Sequence, residues 1–349
     1  MYFVLYDRFL KSIGETYLLE SWSRTQRAVD LDSLKIVGDQ IPFSADPFLV
    51  VVNDRQGKLM FSGLASTPVI NDKTKKTSIT LKDYCTLMNT EIMLNESRYT
   101  GTLLANYINY ILSEWKLQQP TGFEGTDFNV GDIADIKITH TRDTESTHNV
   151  NVYSLISSLV NYYDLYIDCI LDIPAKKITY YFRKSGVNTV SVRLRDFGVD
   201  MIEKSFGDYN RATIYDHTVN KRQQEWALTR DNQVVKLPSS KELVYPAKNR
   251  NFIAEKPSED LSETAAMNAA VCEAVMALAE NRYQENIDLN AQQYKSLLDL
   301  TDVDFSYRIA VYTNEGYYKD LPVGEIVTDS KGKHTIRLGH RIQELTQEI

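Results

Sequence analysis

The sequence predicts a strand-rich, multidomain α+β protein, with strand-rich units at both ends and an α+β domain between them. Three observations carry this. Short β-branched runs separated by turn residues fill both ends of the chain. Two segments with helical apolar spacing lie in the middle. One hairpin-like device occurs twice, as PVINDKTKKTSITLKDY at 68–84 and EIVTDSKGKHTIRLGHR at 325–341. With 349 residues the chain exceeds one typical core, so two or three domains are expected.

Residues 1–95 read as the first strand-rich domain. FLVVVN (48–53), KLMFSG (58–63), TPVIN (67–71) and KTSITL (76–81) are short and β-branched, with NDRQG and NDKTK as turns between them. Ile79 and Leu81 alternate with Ser78 and Thr80, which gives one buried and one wet face. KDYCTLMN then predicts a helical turn or two, with Tyr84, Leu87 and Met88 on one side.

Residues 96–196 read as the α+β domain. Leu103, Leu104, Tyr107, Ile108, Ile111, Leu112 and Trp115 recur at helical spacing, with Thr100 or Thr102 as the cap. QQPTGFEGTDFNVGD (118–132) is glycine-rich and polar and reads as a loop. A second stripe, Val152, Leu155, Ile156, Leu159, Val160 and Tyr163, predicts another helix. LYIDCILDIPAKKITYYFRK follows as a hairpin around Pro174.

Residues 197–349 read as the second strand-rich domain. NRATIYDH, QQEWALT and QVVKL are strands, and 238–257 is a polar connector. A long helix is expected at about 260–284, with Asp260 and Glu263 at capping spacing. NIDLN, VDFSYRIAVYT, GYYKD, VGEIVTD and KHTIRLG are strands again. The repeated device aligns without a gap at an offset of 257, with Asp72 on Asp329, Lys76 on Lys333, Ile79 on Ile336 and Leu81 on Leu338.

Composition argues against several functions. The net charge is −8 with no long basic run, which opposes a nucleic-acid grip. Cys85, Cys169 and Cys272 stand among apolar neighbours and read as buried free thiols in a reducing cytoplasm. MYFVLYDRFLK lacks the apolar core of a signal peptide, and no stretch is long enough to span a bilayer.

No cofactor site, metal site or catalytic residue is predicted. HTRDTESTH holds His140, Asp143, Glu145 and His148, but an eight-residue gap between the histidines fits no zinc spacing. The carboxylates of EGTD (124–127) and DVD (302–304) read as solvated loop groups. Nucleophile elbows and phosphate-binding glycine loops are missing from the sequence.

The aromatic clusters leave alternatives open. Tyr180 and Phe182 share one face of ITYYF, with Tyr181 on the other. They fit a strand packed on the 151–163 helix, or a subunit contact. Tyr312, Tyr317 and Tyr318 surround a glycine turn, which fits a hairpin tip in an assembly or a sugar-stacking platform. Tyr180, Phe182, Tyr317 and Tyr318 are the interface candidates.

FSGL at 61–64 with the SITLKDY step, GTLLANYINYILSEW and the closing IRLGHRIQEL occur in an order that resembles the baseplate hub and tail-tip proteins of bacteriophages. The resemblance spans nearly the whole chain and rests on that order. It implies two tube-like β domains, barrels or sheets with flanking helices, and a central domain that braces neighbouring subunits. It further implies a homotrimer whose six similar domains adapt a threefold tip to a sixfold tail tube. The partners would be tail-tube, distal-tail and other baseplate proteins, with phage DNA passing through unbound past acidic walls. The location would be the virion, after assembly in the bacterial cytoplasm. Relatives often carry a C-terminal enzymatic or receptor-binding extension, whereas this sequence stops at QELTQEI. The role implied is therefore structural, with a cell-wall hydrolase or a carbohydrate-binding adhesin as the competing expectations.

Overall fold

The computed structural model describes all residues except 29–30, 96–101, 120–122, 124, 139–146, 200–201, 206, 217–220, 231–232, 255–262, 282–283, 296–297 and 340–349. The first unit holds β1 (Tyr2–Tyr6), β2 (Ser12–Arg27), β3 (Ser33–Asp39), β4 (Leu49–Asn53), β5 (Leu59–Ala65), β6 (Val69–Asn71) and β7 (Lys76–Lys82). Six of these strands pair in the order β1-β4-β5-β7-β3-β2, and β1–β2 pairing closes the barrel. Phe3, Leu5, Ile36, Val52, Ile79 and Leu81 fill its interior. Alternation explains which side chains point in. The run LVVV in β4 is buried on both faces, because Leu49 and Val51 pack outward on the next unit while Val50 and Val52 point inward.

The chain continues with β8 (Glu91–Asn95), α1 (Leu104–Gln118), β9 (Gly125–Asn129), β10 (Thr147–Asn151), α2 (Val152–Tyr162), β11 (Leu165–Asp172) and β12 (Lys177–Lys184). Both helices fall where the apolar spacing puts them, and Leu104, Tyr107, Ile108, Ile111, Leu112 and Trp115 are buried. The start of α1 differs from expectation. Its cap position is Leu103, without a side-chain bond, and Leu104 N donates to Ile136 O at 2.8 Å instead. Thr100 and Asp260 lie outside the described residues. Asn151 caps α2 by accepting from Ser154 N at 3.0 Å. The 118–132 segment is more than a loop, since β9 pairs in parallel with β12.

β13 (Asn188–Arg193) and β14 (Glu203–Ser205) come next. Then β15 (Arg211–Asp216), β16 (Lys221–Leu228), β17 (Val234–Lys236) and β18 (Asn249–Ala254) form a separate four-stranded sheet. Helix α3 (Glu263–Glu280) covers that sheet through Ala270, Ala274, Val275 and Leu278. Small alanine side chains let the helix approach the strands closely. The expected connector at 238–257 therefore contains a strand, β18, paired in parallel with β15. The chain ends in β19 (Gln284–Asn290), β20 (Tyr307–Thr313), β21 (Gly316–Asp329) and β22 (His334–Leu338).

The last four strands join β13 and β14 in the order β13-β20-β21-β22-β19-β14. Numbered by their place along the chain, both six-strand modules read 1-4-5-6-3-2. The first closes on itself, and in the second no pairing joins β13 to β14 among the described residues. β13 also runs parallel to β20, whereas β1 is antiparallel to β4. A strand that the sequence places in the middle domain thus belongs to the second module. The repeated device is real in its second strand, where Ile79 and Ile336, and Leu81 and Leu338, are all buried. Its turns differ by one residue: Asn71 pairs with Lys76, but Thr328 pairs with His334.

Candidate functional site

The two β modules meet edge to edge. Residues Ser23–Arg27 of β2 pair antiparallel with Glu325–Asp329 of β21, so the barrel and the second module form one continuous sheet. β2 can do this because it is long: its first part closes the barrel against β1 and its last part reaches the second module. At this seam Glu325 has a side chain only 2% exposed. Arg27 Nε donates to Glu325 Oε2 at 3.1 Å, and Arg337 donates from its other side while its Nε reaches Asp288 Oδ2 at 3.1 Å. Two strands besides β21, β2 and β22, therefore bring a guanidinium to one buried carboxylate, and β19 holds one of those guanidiniums through Asp288. The sequence holds a faint signal for it, a glutamate set among Val323, Ile326 and Val327 in a strand.

A cavity of about 750 Å³ opens where the units converge. Its walls include Arg24 and Asp32 from the barrel, Asp168 and Arg183 from the central sheet, and Asp302 and Asp304 ahead of β20. Asp32 faces this space, yet protein surrounds it closely elsewhere. Burial first, and then the Asp83 charge, raise its pKa to about 7, although Arg24 Nη2 stands 3.4 Å away. Burial likewise raises Asp83.

Beside Asp83 two thiols meet that lie 84 residues apart in sequence. Cys85 Sγ and Cys169 Sγ are 3.8 Å apart, and both remain free. Cys85 is buried, while Cys169 and Cys272 are half-buried. The Cys169 hydrogen bond first, and then burial, push the Cys85 thiol well up, and burial pushes that of Cys169 to about 11. The pairing had no signal in sequence, since its partners stand on different elements.

The aromatic candidates separate. Tyr180 and Phe182 are 0% and 1% exposed, within the core that α1 and α2 cover. Their interface expectation gives way to the packing one, because no side-chain surface remains for a partner. Tyr180 stacks on Phe128, lies edge-on to Trp115, and donates its hydroxyl to Tyr84 O at 3.0 Å. Tyr317 is 58% exposed on the β20–β21 hairpin, and its ring meets Tyr312 edge-on at 5.6 Å. Tyr318 is half-buried.

Trp115 and Trp226 lie in cores, and Trp22 is half-buried against Phe61. His140, Asp143, Glu145 and Glu124 fall outside the described residues, and His148 stands on β10 opposite Leu94. Asp127 pairs with Lys177, as a solvated carboxylate would. Among the described residues no helix is long and apolar enough to cross a membrane.

Two six-strand modules of one strand order, fused along an edge and carrying α+β insertions, define a fold found in phage tail proteins, and the sequence resemblance is borne out at that level. The prophage tail protein gp18 from Listeria monocytogenes EGD-e superposes with a TM-score of 0.53 at 9% identity, over 98% of this chain and 95% of that one. The 43 kDa tail protein of prophage MuSo2 from Shewanella oneidensis gives 0.51 at 12% identity, over 98% of both chains. A tail protein from Neisseria meningitidis MC58 gives 0.50 at 12% identity, over 97% of this chain and 96% of that one. No family model matches the sequence, and no curated protein matches it either.

Proposed function

We propose that this chain is a structural, non-enzymatic protein of a phage or prophage tail tip or baseplate, working as a homotrimeric ring in the virion. The observation that carries this is the repeated strand order, with its two copies fused edge to edge. A chain with two like modules presents six of them in a trimer, so threefold assembly offers a near-sixfold face to a sixfold tail tube. Tail-tube, distal-tail and other baseplate proteins would be its partners.

The chain divides into two β modules and two bracing α+β units, one spanning β8 to β12 and one spanning β15 to α3. The β13 and β14 edges of the second module, unpaired with each other among the described residues, and the Tyr317–Tyr318 hairpin are the surfaces offered for subunit contact. Three copies at −8 each carry −24, and acidic groups turned to a central channel would repel DNA phosphates and let a genome pass.

Light scattering after gel filtration tests the ring directly. The expected mass is three times 40.0 kDa, with a central hole in negative-stain images. A strict monomer at the highest soluble concentration would overturn the self-closing ring.

A further inference from the structure

The barrel and the central unit meet at a small cluster of donor atoms. Asp83 and Cys85 sit on the short 3-10 turn after β7, and Cys169 stands on β11 of the central sheet. One ligand atom from each lies within 4.8 Å of the others. We propose that Asp83, Cys85 and Cys169 form a binding site for a thiophilic divalent cation, zinc foremost, that clamps the barrel to the central sheet.

Four features of the geometry support this. Zinc–thiolate bonds of about 2.3 Å at a tetrahedral angle hold two sulfurs about 3.8 Å apart. The observed Sγ–Sγ separation is 3.8 Å, so the ion enters without moving either sulfur. A disulfide would need them to close to about 2.05 Å, and it would leave the carboxylate without a role.

Asp83 is oriented as a ligand should be. Its Oδ1 accepts from Cys85 N at 2.7 Å, which fixes the carboxyl group, and one of its oxygens lies within 4.8 Å of both sulfurs. The frame is firm too. Tyr180 Oη donates to Tyr84 O at 3.0 Å, and Tyr84 Oη donates to Ser62 Oγ at 2.6 Å. Tyr180 pairs directly with Cys169 across β11 and β12, so its side chain ties the turn to the strand paired with the one carrying the third donor.

Access exists as well. Asp83 and Cys169 line the 750 Å³ cavity, which admits an ion and leaves a fourth position for water. Binding would release both thiol protons to solvent and set two thiolates and a carboxylate around the cation.

The test uses the full-length chain, reduced, stripped with a chelator and titrated with Co²⁺ and then Zn²⁺. One equivalent of cobalt should bind and give thiolate-to-metal charge-transfer absorption, which zinc abolishes by displacement. Cys85→Ser and Cys169→Ser should lose the band, Asp83→Asn should weaken binding about tenfold or more, and Cys272→Ser should bind like the parent. Circular dichroism checks the fold. Should Cys85→Ser fail to fold, Cys169→Ser on the cavity wall and the parent titration still decide.

A reduced parent chain with no charge-transfer band and less than one equivalent of metal would overturn the proposal. So would a Cys85–Cys169 disulfide that forms under diamide equally fast with and without zinc. Protection of both thiols by zinc would support it. None of these readouts depends on oligomeric state, so failure here leaves the ring standing and failure of the ring leaves the site standing.

Discussion

Three hairpin turns share one residue-level solution. DRFLK, DRQGK and DSKGK begin at Asp7, Asp54 and Asp329, and each aspartate accepts the backbone N–H of the residues two and four places on. The fourth position has φ of +56° at Leu10, +85° at Gly57 and +86° at Gly332. A left-handed conformation costs a residue with a Cβ about 1–2 kcal/mol, so Gly57→Ala and Gly332→Ala should each lower stability by about that much in urea unfolding. Leu10 is only 7% exposed, and deleting a buried leucine costs about 2–5 kcal/mol. Leu10→Gly should therefore destabilise despite relieving the backbone.

Glu325 is the other decisive residue. Glu325→Gln should cost about 2–3 kcal/mol, because two guanidiniums lose their buried partner, whereas Arg27→Ala leaves Arg337 in place and should cost less.

His334 gives a pH signature. Burial first lowers its pKa and Lys295 adds to that, while Asp299 opposes them. The unfolded chain then takes a proton near pH 6.5 that the folded chain resists, so stability falls as pH drops below that value. His334→Gln should remove that part of the acid loss in melting curves measured between pH 7 and pH 5.

Among elements, what could be read in advance followed the strength of the periodicity. α1 and α2 were plain because their apolar residues recur at 3.6 spacing and are buried there. β9 was hidden because GTDFN has a single apolar residue and β18 because FIA follows the polar NRN, and both pair in parallel at a sheet edge. β2 gave no clean alternation because it serves β1, β3 and β21 along one length, so its faces change neighbours. The thiol pair was beyond reach for a different reason, since nothing local specifies a contact across 84 residues.

α1 also offers a sharp test of packing against polarity. Trp115 is fully buried and its indole N–H has no acceptor among the described residues. Trp115→Phe should cost far less than Trp115→Ala, for which about 3–5 kcal/mol is expected in chemical denaturation.

At the scale of the molecule, fusion of the two modules along β2 and β21 joins residues 298 positions apart. This contact sets a clock. At synthesis rates of about 5–20 residues per second, the last part of β2 leaves the ribosome on the order of 15–60 s before its partner strand exists. A barrel that folds during that interval would leave one strand edge open to neighbouring copies of the chain. The sequence of that edge, SRTQR at 23–27, suits the wait: it is polar, with two arginines, and such residues discourage strand-to-strand sticking. The residues that hold the two modules together in the folded chain would then also keep neighbouring nascent chains apart.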